Sequence, residues 1–285
     1  MKNVHLLLID PQNDFCDIPA SALPVDPNSI GATPQPIVRP ALPVPGAHAD
    51  MERLANFIDR AGGAMREIHV TLDTHNPIDI AHPAWWQDNQ GNAPAPFTVI
   101  RAAEVRDGMW RARDPNQQAH SVNYVNALEA HNKYLLVIWP EHVLLGSWGH
   151  NVHAAVKDAL DRWARRAMKL VNFVIKGTNP TTEHYSAIRA EVPDPNDPST
   201  ELNERLIASL RQADDIIIAG EALSHCVANT VRDLADAVGP DGTKKLILLT
   251  DCASSVGGFE QLGRDFVAEM TARGMRTSLS TDLKL

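Results

Sequence analysis

Six short apolar runs recur along the chain, at residues 4–9, 67–72, 134–138, 170–175, 215–219 and 245–249. Each is rich in Leu or β-branched residues and lacks clean alternation. That is how strands buried on both faces of a parallel sheet read. Between them the spacing turns helical. Met51, Leu54, Ala55 and Ile58 share one face of residues 48–61, and Val152, Ala155, Val156, Ala159 and Trp163 share one of 152–168. Val227, Val231, Leu234 and Val238 do the same over 225–238. Further helices are predicted over 200–212 and over 259–273, the last stopped by Gly274. Strands alternating with helices predict an α/β fold, a three-layer α/β/α arrangement on a six-stranded, mainly parallel, Rossmann-like sheet with right-handed crossovers.

Three stretches break this rhythm: 16–45, 83–133 and 189–199. A length of 285 residues gives a soft prior of two domains at about 150 residues each. The strand count instead assigns residues 1–285 to one domain with loop insertions at those places. Nine of the 20 prolines fall between Pro11 and Pro45, so the proline excess is local. Long loops inside a compact domain are uncommon and often functional.

Composition narrows the function classes. A hydrophobic content of 44% excludes a disordered chain. A net charge of −9 without a basic stripe argues against nucleic-acid partners. No apolar run approaches the roughly 20 residues of a bilayer span, and the run at 4–9 is too short for a signal-peptide core. A cytoplasmic protein is expected, acting on a small molecule, with a homo-oligomer left open. Three cysteines are too few, and odd in number, for a disulfide framework.

In open α/β sheets, sites gather beyond the carboxyl ends of the strands. The residues following the runs are Asp10, Asp73 with His75, His142, Lys176, Cys226 and Asp251. Asp10 reads as a turn carboxylate or as a desolvated general base. Lys176 reads as an exposed strand-end lysine or as a fixed cation beside a thiol. Cys226 follows a strand-to-helix elbow with Ser224 as N-cap, where a helix dipole would lower its pKa. Asp73, His75 and His82 have the donor types of a Zn²⁺, Mn²⁺ or Fe²⁺ site, and His142 is a further candidate. Trp85, Trp86 and Trp139 read more readily as packing, and Cys16 and Cys252 as structural.

Six motifs in order, LLLIDPQNDF, TLDTHNPxxxAH, VIWPEHxLxGSxG, VIKGTNPxTEHYSAI, IIIAGEALSHCVANT and LLTDCASS, resemble those of the isochorismatase-like cysteine hydrolases. Within that superfamily they are similar to the nicotinamidases. The resemblance implies a catalytic triad of Asp10, Lys176 and Cys226. It implies a divalent metal, zinc first, on Asp73, His75 and His142, with His82 as an additional ligand. It places an oxyanion hole at the amides of Ala222 and Cys226, a cis peptide at Glu221–Ala222, and Phe15 and Trp139 in the substrate pocket. The chain departs from the family pattern at Val143, Glu221 and His225, all near the pocket.

The implied activity is hydrolysis of a small amide to acid and ammonia through a thioester. Two alternatives stand beside it: an N-carbamoyl or ureido amidohydrolase on the same triad, and a non-enzymatic metal-binding or redox-responsive protein on this fold. A low-pKa, exposed thiol is what the redox reading requires.

Overall fold

The computed structural model describes residues 2–26, 37–130 and 134–285. Its elements run β1 (Val4–Ile9), α1 (Ala47–Ala61), β2 (Met65–Asp73), β3 (Trp86–Gln87), β4 (Val99–Ile100), α2 (Ala102–Arg106), β5 (Arg111–Ala112), α3 (Gln118–Ala130) and β6 (Leu136–Val137). They continue with α4 (Ala154–Ala167), β7 (Asn172–Lys176), α5 (Glu204–Arg211), β8 (Asp215–Gly220), α6 (Ala228–Thr243), β9 (Leu246–Leu249), α7 (Glu260–Ala272) and β10 (Arg276–Ser278).

Six strands form one all-parallel sheet in the order β10-β9-β8-β1-β2-β7. From β1 the chain steps one way, through α1 to β2 and α4 to β7. From β7 it returns across the sheet and steps the other way, through α6 to β9 and α7 to β10. Right-handed crossovers therefore put α1 and α4 on one face and α5, α6 and α7 on the other. The packing agrees: α1 lies against α4, and α6 against both α5 and α7. Adjacent β1 and β8 thus send their connections to opposite faces. That switch point opens a crevice at their carboxyl ends, where Asp10 and Cys226 follow.

Two sequence expectations are corrected. Residues 134–138 do not enter the main sheet; Leu136–Val137 pairs antiparallel with Val99–Ile100. The sixth strand is instead Arg276–Ser278, a short edge strand with no apolar run. The stretch 83–133 is also more than a loop. Within its described part, α2 and α3 enclose a second apolar cluster of Trp85, Trp86, Ile100, Val105, Tyr124 and Leu128, joined by Leu136 and Ile138. Residues 27–36 of the Pro-rich stretch, and 131–133, lie outside the described residues. The stretch 189–199 carries only the start of a single turn, Pro198–Thr200. Among the described residues, no helix is long and apolar enough to cross a membrane.

Candidate active site

Asp10 leaves β1 with φ 45°, a left-handed conformation uncommon outside glycine. Thr71 on the neighbouring strand β2 holds it from both sides. Its hydroxyl accepts from the Asp10 amide at 3.0 Å and donates to Asp10 Oδ1. Lys176, the last residue of β7, brings Nζ within 3.0 Å of Asp10 Oδ2 and 2.8 Å of Asp73 Oδ1. The same ammonium donates to the His184 carbonyl at 2.8 Å and lies 3.7 Å from Cys226 Sγ.

Cys226 reaches this group from the elbow after β8. Gly220 turns there with φ 119°. A Cβ at Gly220 would stand 2.0 Å from the Ile9 carbonyl oxygen, so only glycine lets the elbow pack on the end of β1. The Glu221–Ala222 peptide is cis. The predicted α-helical turn around Cys226 is instead a π-turn, Leu223–Val227, which leads into α6. Such wide turns are frequent at functional sites. Asp251, by contrast, stays away from this group and takes the Ser280 amide at 2.7 Å.

Burial decides the resting protonation. Burial opposes the charge on Lys176, but Asp10 and Asp73 outweigh it and hold the ammonium well above its ordinary range. Burial likewise works against the Asp73 carboxylate, and Lys176 and His75 overcome it. For Asp10 burial wins over Lys176, so its pKa is raised. Burial also pushes the Cys226 thiol well up, against the pull of Lys176. The helix-dipole expectation of a lowered thiol pKa therefore does not hold. Cys226 is buried, which favours the thiol over the thiolate.

Beside this trio lies a cluster of imidazoles. His75 Nδ1 is 2.8 Å from Asp79 Oδ2, and His142 Nδ1 is 2.9 Å from the Pro140 carbonyl. Both partners only accept, so both Nδ1 atoms donate. Each Nε2 then faces Asp73 Oδ2, at 3.2 Å for His75 and 3.7 Å for His142. Burial, then the charge of His75, lowers His142 to about 3, which leaves its Nε2 a free lone pair. His82 brings Nε2 to 3.2 Å from His142 Nδ1, and its own pKa is lowered by burial, then by His142, to about 3. One ring nitrogen from each of the three histidines lies within 4.8 Å of the others. Imidazoles oriented by a carboxylate (His75) and by a backbone carbonyl (His142) around a carboxylate oxygen fit a divalent transition metal.

The residues that sequence reasoning missed are the ones that clamp these loops. Gln12 bonds Asp73 at both its amide and its carbonyl, each at 2.8 Å. Asp14 takes the amides of Val143 at 2.7 Å and Ala41 at 3.0 Å. Glu183 is buried near His75, at 3.9 Å, and burial raises its pKa to about 7. Their signal was present: Gln12, Asp14 and Glu183 all belong to motifs already singled out.

On the other side of Cys226, aromatic rings gather around His225. Tyr134 stacks on it, and Trp139, Tyr185 and Phe259 stand 5.0–5.4 Å away. Trp139 is thus both packed and part of this wall, with its indole N–H on the Tyr185 hydroxyl at 2.9 Å. Phe15 meets the edge of His142 at 5.5 Å.

Known structures align along the whole chain. The yeast nicotinamidase Pnc1p matches 96% of this chain and 98% of its own, with TM-score 0.60 and 18% identity. The Acinetobacter baumanii nicotinamidase/pyrazinamidase matches 100% and 99%, with TM-score 0.59 and 19% identity. The chain has the nicotinamidase fold. The zinc complex of the Pyrococcus horikoshii pyrazinamidase also aligns, over 97% and 99%, with TM-score 0.52 and 15% identity. No family model and no curated protein sequence matches the chain.

Val143, Glu221 and His225 adjoin His142, Ala222 and Cys226 in sequence. Val143 takes φ 42°, strained for a β-branched residue, and is pinned there by Asp14 and by its carbonyl on the His75 amide at 3.2 Å. Glu221 accepts the Ser254 amide at 3.1 Å; burial, then the Asp50 carboxylate, keeps it a neutral acid. His225 is neutral too, lowered to about 4 by burial.

Proposed function

We propose that the chain is a cysteine amidohydrolase that converts a small amide to its acid and ammonia. One observation carries this reading: among buried residues, a single ammonium, Lys176 Nζ, bridges Asp10 at 3.0 Å and Cys226 Sγ at 3.7 Å. A redox sensor needs neither the ammonium nor the carboxylate. It also needs an accessible low-pKa thiol, which Cys226 is not.

In this mechanism Asp10 takes the thiol proton as Cys226 Sγ bonds to the amide carbonyl carbon. Lys176 stabilises the sulfur anion during transfer. The amides of Ala222 and Cys226 receive the oxyanion. Asp10 then returns the proton to the departing nitrogen, the C–N bond breaks, and ammonia leaves a thioester on Cys226. Asp10 next deprotonates a water that attacks the thioester, releasing the acid and restoring the thiol.

Asp73, His75 and His142 would hold a divalent metal, Zn²⁺ first and Mn²⁺ or Fe²⁺ next, with His82 beside them. When bound, the ion supplies a Lewis acid for a heteroatom of substrate or for water. Phe15 stands against His142 and Trp139 against His225, next to Cys226, and aromatic neighbours of this kind suit a flat heteroaromatic amide. Nicotinamide is the first compound to test, because the aligned structures are named for it.

The test is ammonia release from nicotinamide, pyrazinamide and N-carbamoyl compounds. Wild type should release ammonia from at least one aromatic amide, and Cys226→Ala should lose roughly a thousandfold or more. Undiminished turnover in Cys226→Ala overturns the mechanism. Carbon dioxide as co-product from an N-carbamoyl compound, with no aromatic amide turned over, replaces the substrate class.

A further inference from the structure

A second cluster of metal-binding side chains lies on the α5 face of the sheet. His5 is on β1, and Glu67 and His69 are on β2; the register pairs His5 with Glu67. Residues two apart on a strand share a face, so His69 follows Glu67 on the same side. His5 Nδ1 is 3.3 Å from His69 Nε2. Glu67 Oε2 is 3.4 Å from His69 Nε2 and 4.0 Å from His5 Nδ1. Three donor atoms, from two strands, therefore converge on one point. Five residues of extended chain separate His5 from Asp10, roughly 16 Å, so this cluster is distinct from the one at Asp73.

We propose that His5, Glu67 and His69 form a second binding site for a divalent transition metal of the zinc class. Tetrahedral Zn²⁺, with bonds of about 2.0–2.2 Å, spaces its ligand atoms about 3.3–3.6 Å apart. The observed separations lie at and just above that spacing. A set of two imidazoles and one carboxylate suits Zn²⁺ and its neighbours over Mg²⁺ or Ca²⁺. Both rings are buried, and burial keeps both neutral, His69 down at about 4. Facing ring nitrogens can share only one hydrogen between them; a cation would use both lone pairs.

The surroundings fit a ligand set as well. Asn172 Nδ2 stands 2.9 Å from His69 Nδ1 and donates to it in this orientation. Turning the amide over would let its oxygen accept Nδ1–H and leave Nε2 for an ion. Ser209 of α5 donates to Glu67 Oε2 at 2.7 Å. The Glu67 side chain is 46% exposed, which gives an ion a route in and leaves room for a water as fourth ligand. Arg66 and Lys169 are the cations within electrostatic reach of His5. Their charge opposes a metal, so this site is the weaker of the two.

The experiment is Zn²⁺ titration of the chelator-stripped full chain by equilibrium dialysis, with Co²⁺ absorption as a second readout. Wild type should bind two equivalents and Glu67→Gln one. His75→Ala/His142→Ala should keep one equivalent, and adding His69→Ala should weaken that at least tenfold. Asn172→Ala should weaken it about 10–100-fold, while circular dichroism confirms that each variant is folded. One equivalent in wild type, or affinity unchanged in the folded Glu67→Gln protein, overturns the proposal.

Discussion

Lys176 donates to Asp73 Oδ1 at 2.8 Å, so the ammonium facing the Cys226 thiol is held by the carboxylate that faces the histidines. The proposed metal cluster and the proposed nucleophile are thus linked through one residue. Asp73→Ala should remove metal and leave Lys176 with Asp10 alone. Breaking a buried ion pair from one side costs about 3–5 kcal/mol. Denaturant unfolding should show that loss, and added Zn²⁺ should not restore turnover. His142→Ala should recover part of its turnover with excess Zn²⁺. Equal rescue of both variants would show that Asp73 serves the metal only.

Thr71 lowers the pKa of Asp10 by bonding its carboxylate. Thr71→Val removes that bond, so Asp10 ionises at higher pH. A hydrogen bond to a charged group is worth about 1.5–3 kcal/mol, which corresponds to roughly one to two pH units. The acid limb of kcat/KM should move up by about one unit. An unmoved limb with reduced kcat would assign Thr71 a packing role only.

His225 makes the protein acid-sensitive. Its folded pKa is lowered to about 4 by burial, whereas the unfolded ring titrates near 6.5. Between those values the unfolded state binds more protons, so folding stability falls as pH drops from 6.5 towards 4, by up to about 1.4 kcal/mol per unit. His225→Phe has no such proton to take up. Its stability relative to wild type should therefore rise between pH 7 and pH 5 in denaturant unfolding. A constant difference would contradict the buried, neutral ring.

Trp86 is fully buried in the second apolar cluster and donates to the Ile80 carbonyl at 2.7 Å. Trp86→Ala should cost about 3–5 kcal/mol, seen as a lower midpoint of thermal unfolding. A change below about 1 kcal/mol would mean that residues 83–130 do not pack as described.

The apolar runs at 4–9, 67–72, 215–219 and 245–249 became sheet strands because helices bury them, and burial is what their composition encodes. The run at 170–175 supplied the edge strand β7, and its Leu170, Phe173 and Ile175 stay exposed. Arg276–Ser278 escaped notice because an edge strand needs only backbone pairing, with β9, and carries no apolar signature. Leu136–Val137 misled because Leu136 is buried in the second cluster and Val137 in the main core, and a short run does not say whether it joins the main sheet. The candidate site was legible because strand ends concentrate it: Asp10, Asp73, Lys176 and Cys226 all follow or end strands of one sheet. The resting state of Cys226 was not legible. Its position at an elbow suggested a thiolate, but the depth of burial, a tertiary property, outweighs the dipole.

The central claim is that Cys226 carries the acyl group. Intact-mass spectrometry of protein quenched during turnover of nicotinamide, or of the best amide found, reads this directly. One acyl group per chain is expected, mapped to Cys226 by peptide analysis and absent from Cys226→Ala. Ammonia release with Cys226 unmodified at every quench time, and equally fast in Cys226→Ala, would contradict it.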